Sequence, residues 1–77
     1  MNEIQINVVF DSDVNVYVAT SEDVPGLVAE APTFEVLKDK VFSLIPILMS
    51  ENKHLVGSIP SVPVELLIRQ KELVALA

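Results

Sequence analysis

The residues able to do chemistry are few, and most of them are acidic. A single histidine, His54, must serve any histidine-based general-base scheme, and the chain holds no cysteine to act as nucleophile or thiolate ligand. Ser50, His54 and Asp39 can be written as a nucleophile, base and orienting acid. No strained nucleophile turn surrounds any serine, however, and His54 follows Lys53 near an expected helix end, where a cation favours the helix dipole. Two carboxylate pairs remain, Asp11 with Asp13 and Glu22 with Asp23. Both fall in turn sequences, where such side chains bond the local backbone, and the twelve-residue calcium-loop pattern is absent. Two glycines, Gly26 and Gly57, make no phosphate-binding loop. These residues point away from an enzyme and away from any metal or cofactor.

The distribution of charge is more informative than the individual groups. Residues 1–37 contain seven acidic side chains and no lysine or arginine, whereas the rest of the chain is nearly balanced, giving a net charge of -6 overall. A strongly negative chain repels phosphate backbones, so direct contact with DNA or RNA is not expected. An acidic field does favour encounter with a basic protein. Asp11, Asp13, Glu22 and Asp23 are therefore the candidate partner contacts.

The elements that position these groups follow from hydrophobic periodicity. Ile4, Ile6, Val8 and Phe10 alternate with polar residues, as in a half-buried strand, and Asp11-Ser12-Asp13 supplies a turn. Alternation resumes with Val14, Val16 and Val18 opposite Asn15, Tyr17 and Ala19, which predicts an antiparallel hairpin and places Tyr17 on the polar side. There it would either pack beneath a partner or loop, or keep its hydroxyl in water. Pro25-Gly26 suits a type II turn, with Pro presetting one dihedral and Gly accepting a positive one. Residues 27–31 then read as a third strand of the meander.

From Thr33, the expected N-cap, the period becomes helical. Phe34, Leu37, Val41, Leu44, Ile45 and Leu48 share one stripe of a helix of about five turns. Pro46 within it predicts a kink or an early end. Residues 52–63 read as a loop, and Val62, Val64, Leu66 and Ile68 as a fourth strand, while residues 70–77 could extend that strand, form another, or coil into a helical turn. The order βββαβ defines a single α+β domain over residues 1–77, a mainly antiparallel sheet with one helix on one face. The longest apolar run, residues 41–49, is too short to cross a bilayer, and the first residues lack a signal peptide's basic region, so a cytoplasmic location is expected.

A chain of 77 residues without disulfides has a marginal core. Its apolar surplus predicts a homodimer or larger assembly, with Phe42 and Met49 on the helix and Leu66 and Ile68 on the terminal edge strand as candidate contacts.

One resemblance gathers these features. The stretch Val18-Ala19-Thr20-Ser21-Glu22-Asp23-Val24-Pro25-Gly26-Leu27-Val28 is followed by Ala31-Pro32-Thr33 opening a helix, by Leu44-Ile45-Pro46 within it, and by Val62-Pro63-Val64-Glu65. Together they resemble the N-terminal domain of HicB antitoxins, and more closely the short HicB-like proteins of unknown function. The resemblance implies a partial ribonuclease-H-like fold and a role in binding and blocking HicA, a small basic toxin that cleaves messenger RNA. The stand-alone alternative is a homo-oligomeric domain without a toxin partner. Full HicB antitoxins add a helix-turn-helix or ribbon-helix-helix segment, which this sequence does not show, so no separate DNA-binding domain is expected. Likeness of fold alone carries no nuclease activity.

Overall fold

The computed structural model describes residues 3–51 and 61–77. Five elements follow in the expected βββαβ order: β1 (Ile4–Asp11), β2 (Val16–Thr20), β3 (Val28–Ala31), α1 (Phe34–Glu51) and β4 (Val64–Arg69). They build one mixed sheet in the order β3-β2-β1-β4, with α1 covering one face. The fold is α+β.

Local chemistry explains each joint. A four-residue loop, 12–15, closes the β1–β2 hairpin, where the Asp13 amide donates to Asp11 Oδ1 at 3.0 Å and Asn15 takes the left-handed conformation (φ 55°) that asparagine tolerates best after glycine. At the other end of β2, Val24-Pro25-Gly26-Leu27 forms the expected type II turn: the Leu27 amide donates to Val24 O at 3.1 Å, and Gly26 holds φ 86°. Thr33 caps α1 by accepting the Val36 amide on Oγ1 at 3.2 Å, as its sequence position requires. The helix runs its full 18 residues through Pro46, so the proline does not end it. Tertiary packing of its apolar stripe outweighs the local penalty.

Strand direction follows from this path. β1, β2 and β3 run as an antiparallel meander, α1 returns the chain along the sheet, and β4 therefore enters in the same direction as β1 and pairs with it in parallel, Ile4 opposite Val64. Two of the three pairings are thus antiparallel, within a sheet that is mixed. The fourth strand starts two residues later than Val62. The Ile4 amide nevertheless donates to Pro63 O at 2.9 Å, which extends the pairing.

The core lies between the sheet and α1. Ile4, Ile6 and Val8 from β1, Ala19 from β2, Ala29 and Ala31 from β3, and Leu37, Val41, Ile45 and Met49 from the helix are buried, closed at one end by Val24 and Leu27. The expected phase of β2 is inverted. Ala19 stands opposite Val8 and Tyr17 opposite Phe10, so these two face the helix, whereas Val16 and Val18 face away. Tyr17 accordingly packs against Phe10, ring centroids 4.9 Å apart, and Phe34, at 6.3 Å, and its hydroxyl lies 3.3 Å from Gln70 Oε1, to which it donates. The small alanines leave room above β2 for these rings and for the helix. Val14 does not belong to β2; it lies in the hairpin loop, exposed.

Candidate functional site

The helix-free face of the sheet carries the chief surface feature. Its side chains are the alternate ones: Gln5, Asn7, Val9 and Asp11 on β1, Val16, Val18 and Thr20 on β2, Val28 and Glu30 on β3, and Glu65, Leu67 and Arg69 on β4. Register places Val9 directly beside Val18. Val28 pairs with Thr20, one step diagonal to Val18, and Leu67 pairs with Asn7, one step diagonal to Val9. Val28, Val18, Val9 and Leu67 therefore form a continuous apolar stripe that crosses all four strands as a shallow arc, with Val18 and Val9 in one cross-strand row and Val28 and Leu67 at its ends in the next, either side of Thr20 and Asn7. Neighbouring residues on one sheet face are close enough for side chains to touch.

This stripe is exposed rather than capped. Val28 is 68% exposed, Val9 48% and Leu67 44%, while Val18 in the centre is half-buried by its neighbours. Acidic residues line its flanks: Glu30 pairs across from Val18, Asp11 follows Val9 by two residues, and Glu65 precedes Leu67 by two. Arg69, opposite Val9, is the one basic side chain that these strands place on this face. An apolar centre with a charged rim is the composition of a protein-binding patch.

The four acidic candidates from the sequence do not converge. Asp11 and Asp13 sit at the hairpin end of β1, whereas Glu22 and Asp23 lie beside Gln5 at the opposite end, about 20 Å away at the usual strand rise. Two of the four carboxylates also serve the backbone. Asp11 holds the hairpin loop, and Asp23 Oδ2 accepts the Gln5 amide at 2.8 Å. Ser21 completes that second joint, donating from Oγ to Gln5 O at 2.7 Å and accepting from the amides of Asp23 and Val24 at 3.1 and 3.3 Å. The Ser-Glu-Asp turn thus finishes the β1 ladder beyond the end of β2. Asp13 and Glu22 remain exposed at opposite ends of the sheet.

The self-association candidates separate as well. Met49 is buried in the core at 9% exposure and is withdrawn from any outer surface, because α1 turns it toward the sheet. Leu66 packs half-buried against the core. Phe42 is exposed on the helix, with Lys38 Nζ 5.7 Å from its ring centroid, and Ile68 is exposed near the end of β4.

Among the described residues no group of three or more histidine, aspartate or glutamate side chains could hold a metal ion. No buried side-chain polar atom there lacks a hydrogen-bond partner. Asp39 and Ser50 are exposed on α1, and His54 lies outside the described residues. An open groove of about 540 Å³ runs between β3 and α1, lined in part by Val28, Glu30, Lys40, Ser43 and Leu44. Lys40 Nζ there donates to Glu30 O at 2.9 Å, so this cation covers part of the outer edge of β3. No described helix is long and apolar enough to cross a membrane.

Sequence reasoning misses the stripe because β2 is apolar on both sides and because Val9 and Leu67 are isolated apolar residues on otherwise polar sides of β1 and β4. Val8 and Val9 are adjacent, and β2 offers Val16 and Val18 against Tyr17 and Ala19, so alternation alone gives no phase. The adjacent Val8-Val9 pair was the available signal that the second face of the hairpin is apolar too.

A four-stranded mixed sheet with one covering helix and an open, acid-rimmed face defines a small α+β domain. The chain belongs to the family described as a domain of unknown function, DUF1902, whose model matches residues 3–75. It is similar to hypothetical protein TTHA1013 from the extremely thermophilic bacterium Thermus thermophilus, known from a crystal structure. The two share 33% identity at a TM-score of 0.68, over 97% of this chain and 100% of the other. No curated protein matches the chain significantly.

Proposed function

We propose that the protein is a cytoplasmic interaction module, without enzymatic activity, that binds and neutralises a small basic protein, in the manner of a HicB-like antitoxin acting on an RNA-cleaving toxin of HicA type. The observation that carries this reading is the curved apolar stripe Val28, Val18, Val9 and Leu67 flanked by Asp11, Glu30 and Glu65. The apolar centre supplies burial and the acidic rim supplies attraction for a basic surface. The rim acts mainly on the rate of association, so binding weakens as salt rises. Asp13 and Glu22 extend the acidic field to the two ends of the sheet.

The resemblance of the Asp-Val-Pro-Gly turn, the Leu-Ile-Pro helix and the Val-Pro-Val-Glu strand to HicB-like proteins supports the same choice of partner. Carboxylates dispersed along a rim give no geometry for nuclease work, which needs metals held close together.

Capture from the native host by the tagged full chain at low salt tests the proposal. A stoichiometric basic partner of about the size of one small domain, released by salt and lost with the Val9→Lys/Leu67→Lys variant, is the expected result. Recovery of the bait alone, or of a partner indifferent to that variant, overturns it. The stand-alone reading, a homo-oligomer with no toxin, draws its support from a different surface.

A further inference from the structure

The segment after β4 is the least satisfied part of the described chain. Residues 70–77 form neither helix nor strand, and all eight are exposed. Leu73 and Leu76 are 104% and 98% exposed and Val74 78%, so their side chains touch almost nothing. Polar sequences stay extended in water at no hydrophobic penalty, but three large apolar side chains on one short arm do not. Beside the arm lies a second unsatisfied feature. β4 is an outer strand whose far edge has no neighbour among the described residues, and Leu67 and Ile68 near its end are also exposed. A free apolar edge strand invites another strand.

We infer that these two features complete each other between two copies of the chain: the arm of each copy runs antiparallel along the free edge of the other's β4, joining two four-stranded sheets into one of eight strands. Length fits, and side-chain order fits over the outer part of the pairing, whereas next to the two-fold axis Arg69 faces the second copy's Lys71 and Ile68 its Glu72. An eight-residue arm reaches about 26 Å when extended, enough to follow the six-residue β4. With Gln70 of one copy opposite Gln70 of the other, Leu66 faces the second copy's Val74, Val64 faces its Leu76, and Leu67 faces its Leu73. The first two pairs fall on the helix side and shield the outer border of the core, where Val64 and Leu66 are only half-buried. The third falls on the open face and lengthens the stripe. This self-matching is what a two-fold interface requires, since one patch must complement itself. The base of the arm is already oriented, because the Tyr17 hydroxyl donates to Gln70 Oε1 at 3.3 Å. The pairing stands whether or not a basic protein binds the open face.

The absence of cysteine makes the register directly testable. The full chain is expected to sediment at twice its 8.4 kDa mass. The Leu73→Ser/Val74→Ser/Leu76→Ser variant should keep the native circular dichroism spectrum, since these residues contact almost nothing within one chain, while its dimer dissociation constant rises on the order of 100-fold. Gln70→Cys should form an intermolecular disulfide on mild oxidation, as paired positions in adjacent antiparallel strands lie within bridging distance. A wild-type monomer at all concentrations overturns the inference. So does a dimer unaffected by the triple variant, or a Gln70→Cys chain that forms no cross-link.

Discussion

The two faces of one sheet carry side chains of similar type and meet opposite fates. On the covered face Ile4, Ile6, Val8 and Ala19 are wholly buried in the core they share with α1, and on the open face Val9, Val18, Val28 and Leu67 reach water or only half avoid it. Hydrophobicity alone does not separate them; adjacent residues such as Val8 and Val9 differ only in which way the pleat turns them. The covered side chains hold the domain together, and the open ones are available to a partner at little expense to the fold.

Substitutions on the two faces, and along the seams between elements, should separate accordingly. Leu37→Ala, beneath the helix, should be the most damaging, at about 2–5 kcal/mol of lost stability. That corresponds to a melting temperature lower by roughly 10 °C or more for a domain of this size, read by thermal circular dichroism. Asp23→Ala removes the acceptor for the Gln5 amide at the end of β1 and should destabilise by about 1–3 kcal/mol, measured by urea unfolding. Thr33→Ala removes the helix cap and should cost about 1 kcal/mol in the same assay. Val9→Thr, on the open face, keeps the β-branched shape and should stay within about 0.5 kcal/mol of wild type. A Val9→Thr penalty as large as that of Leu37→Ala would mean that the open face is part of the stabilising core after all.

Much of this contrast was legible in the residues, and the parts that were not have physical causes. Local chemistry made the joints readable: Pro25-Gly26 dictates its turn, Thr33 dictates the start of α1, and the switch from period two to period 3.6 at Phe34 dictates the element order. Strand phase was less accessible. β2 is apolar on both sides, and its register comes from the hairpin loop of residues 12–15, which sets Val9 against Val18 and Phe10 against Tyr17. Periodicity is equally silent on which edge receives β4, since that depends on where the helix returns the chain. The acidic turns illustrate a further limit. The turn position of Asp11 predicts the local amide bond it makes to Asp13, whereas nothing local shows that Asp23 reaches across to the Gln5 amide of β1. Met49 reads as spare apolar surface until the helix turns it inward, while the exposed arm of residues 70–77 has no local signal to distinguish it from an extension of β4.

Side-chain methyl chemical shifts of the labelled chain, titrated with the basic protein it captures at low salt, test the account most directly. Methyl groups report each face separately, which backbone amides cannot do. The open-face reading requires the resonances of Val9, Val18, Val28 and Leu67 to move while those of Ile6, Val8, Val41 and Ile45 stay nearly fixed. Shifts centred on the helix around Phe42, with the open-face valines unmoved, would contradict it.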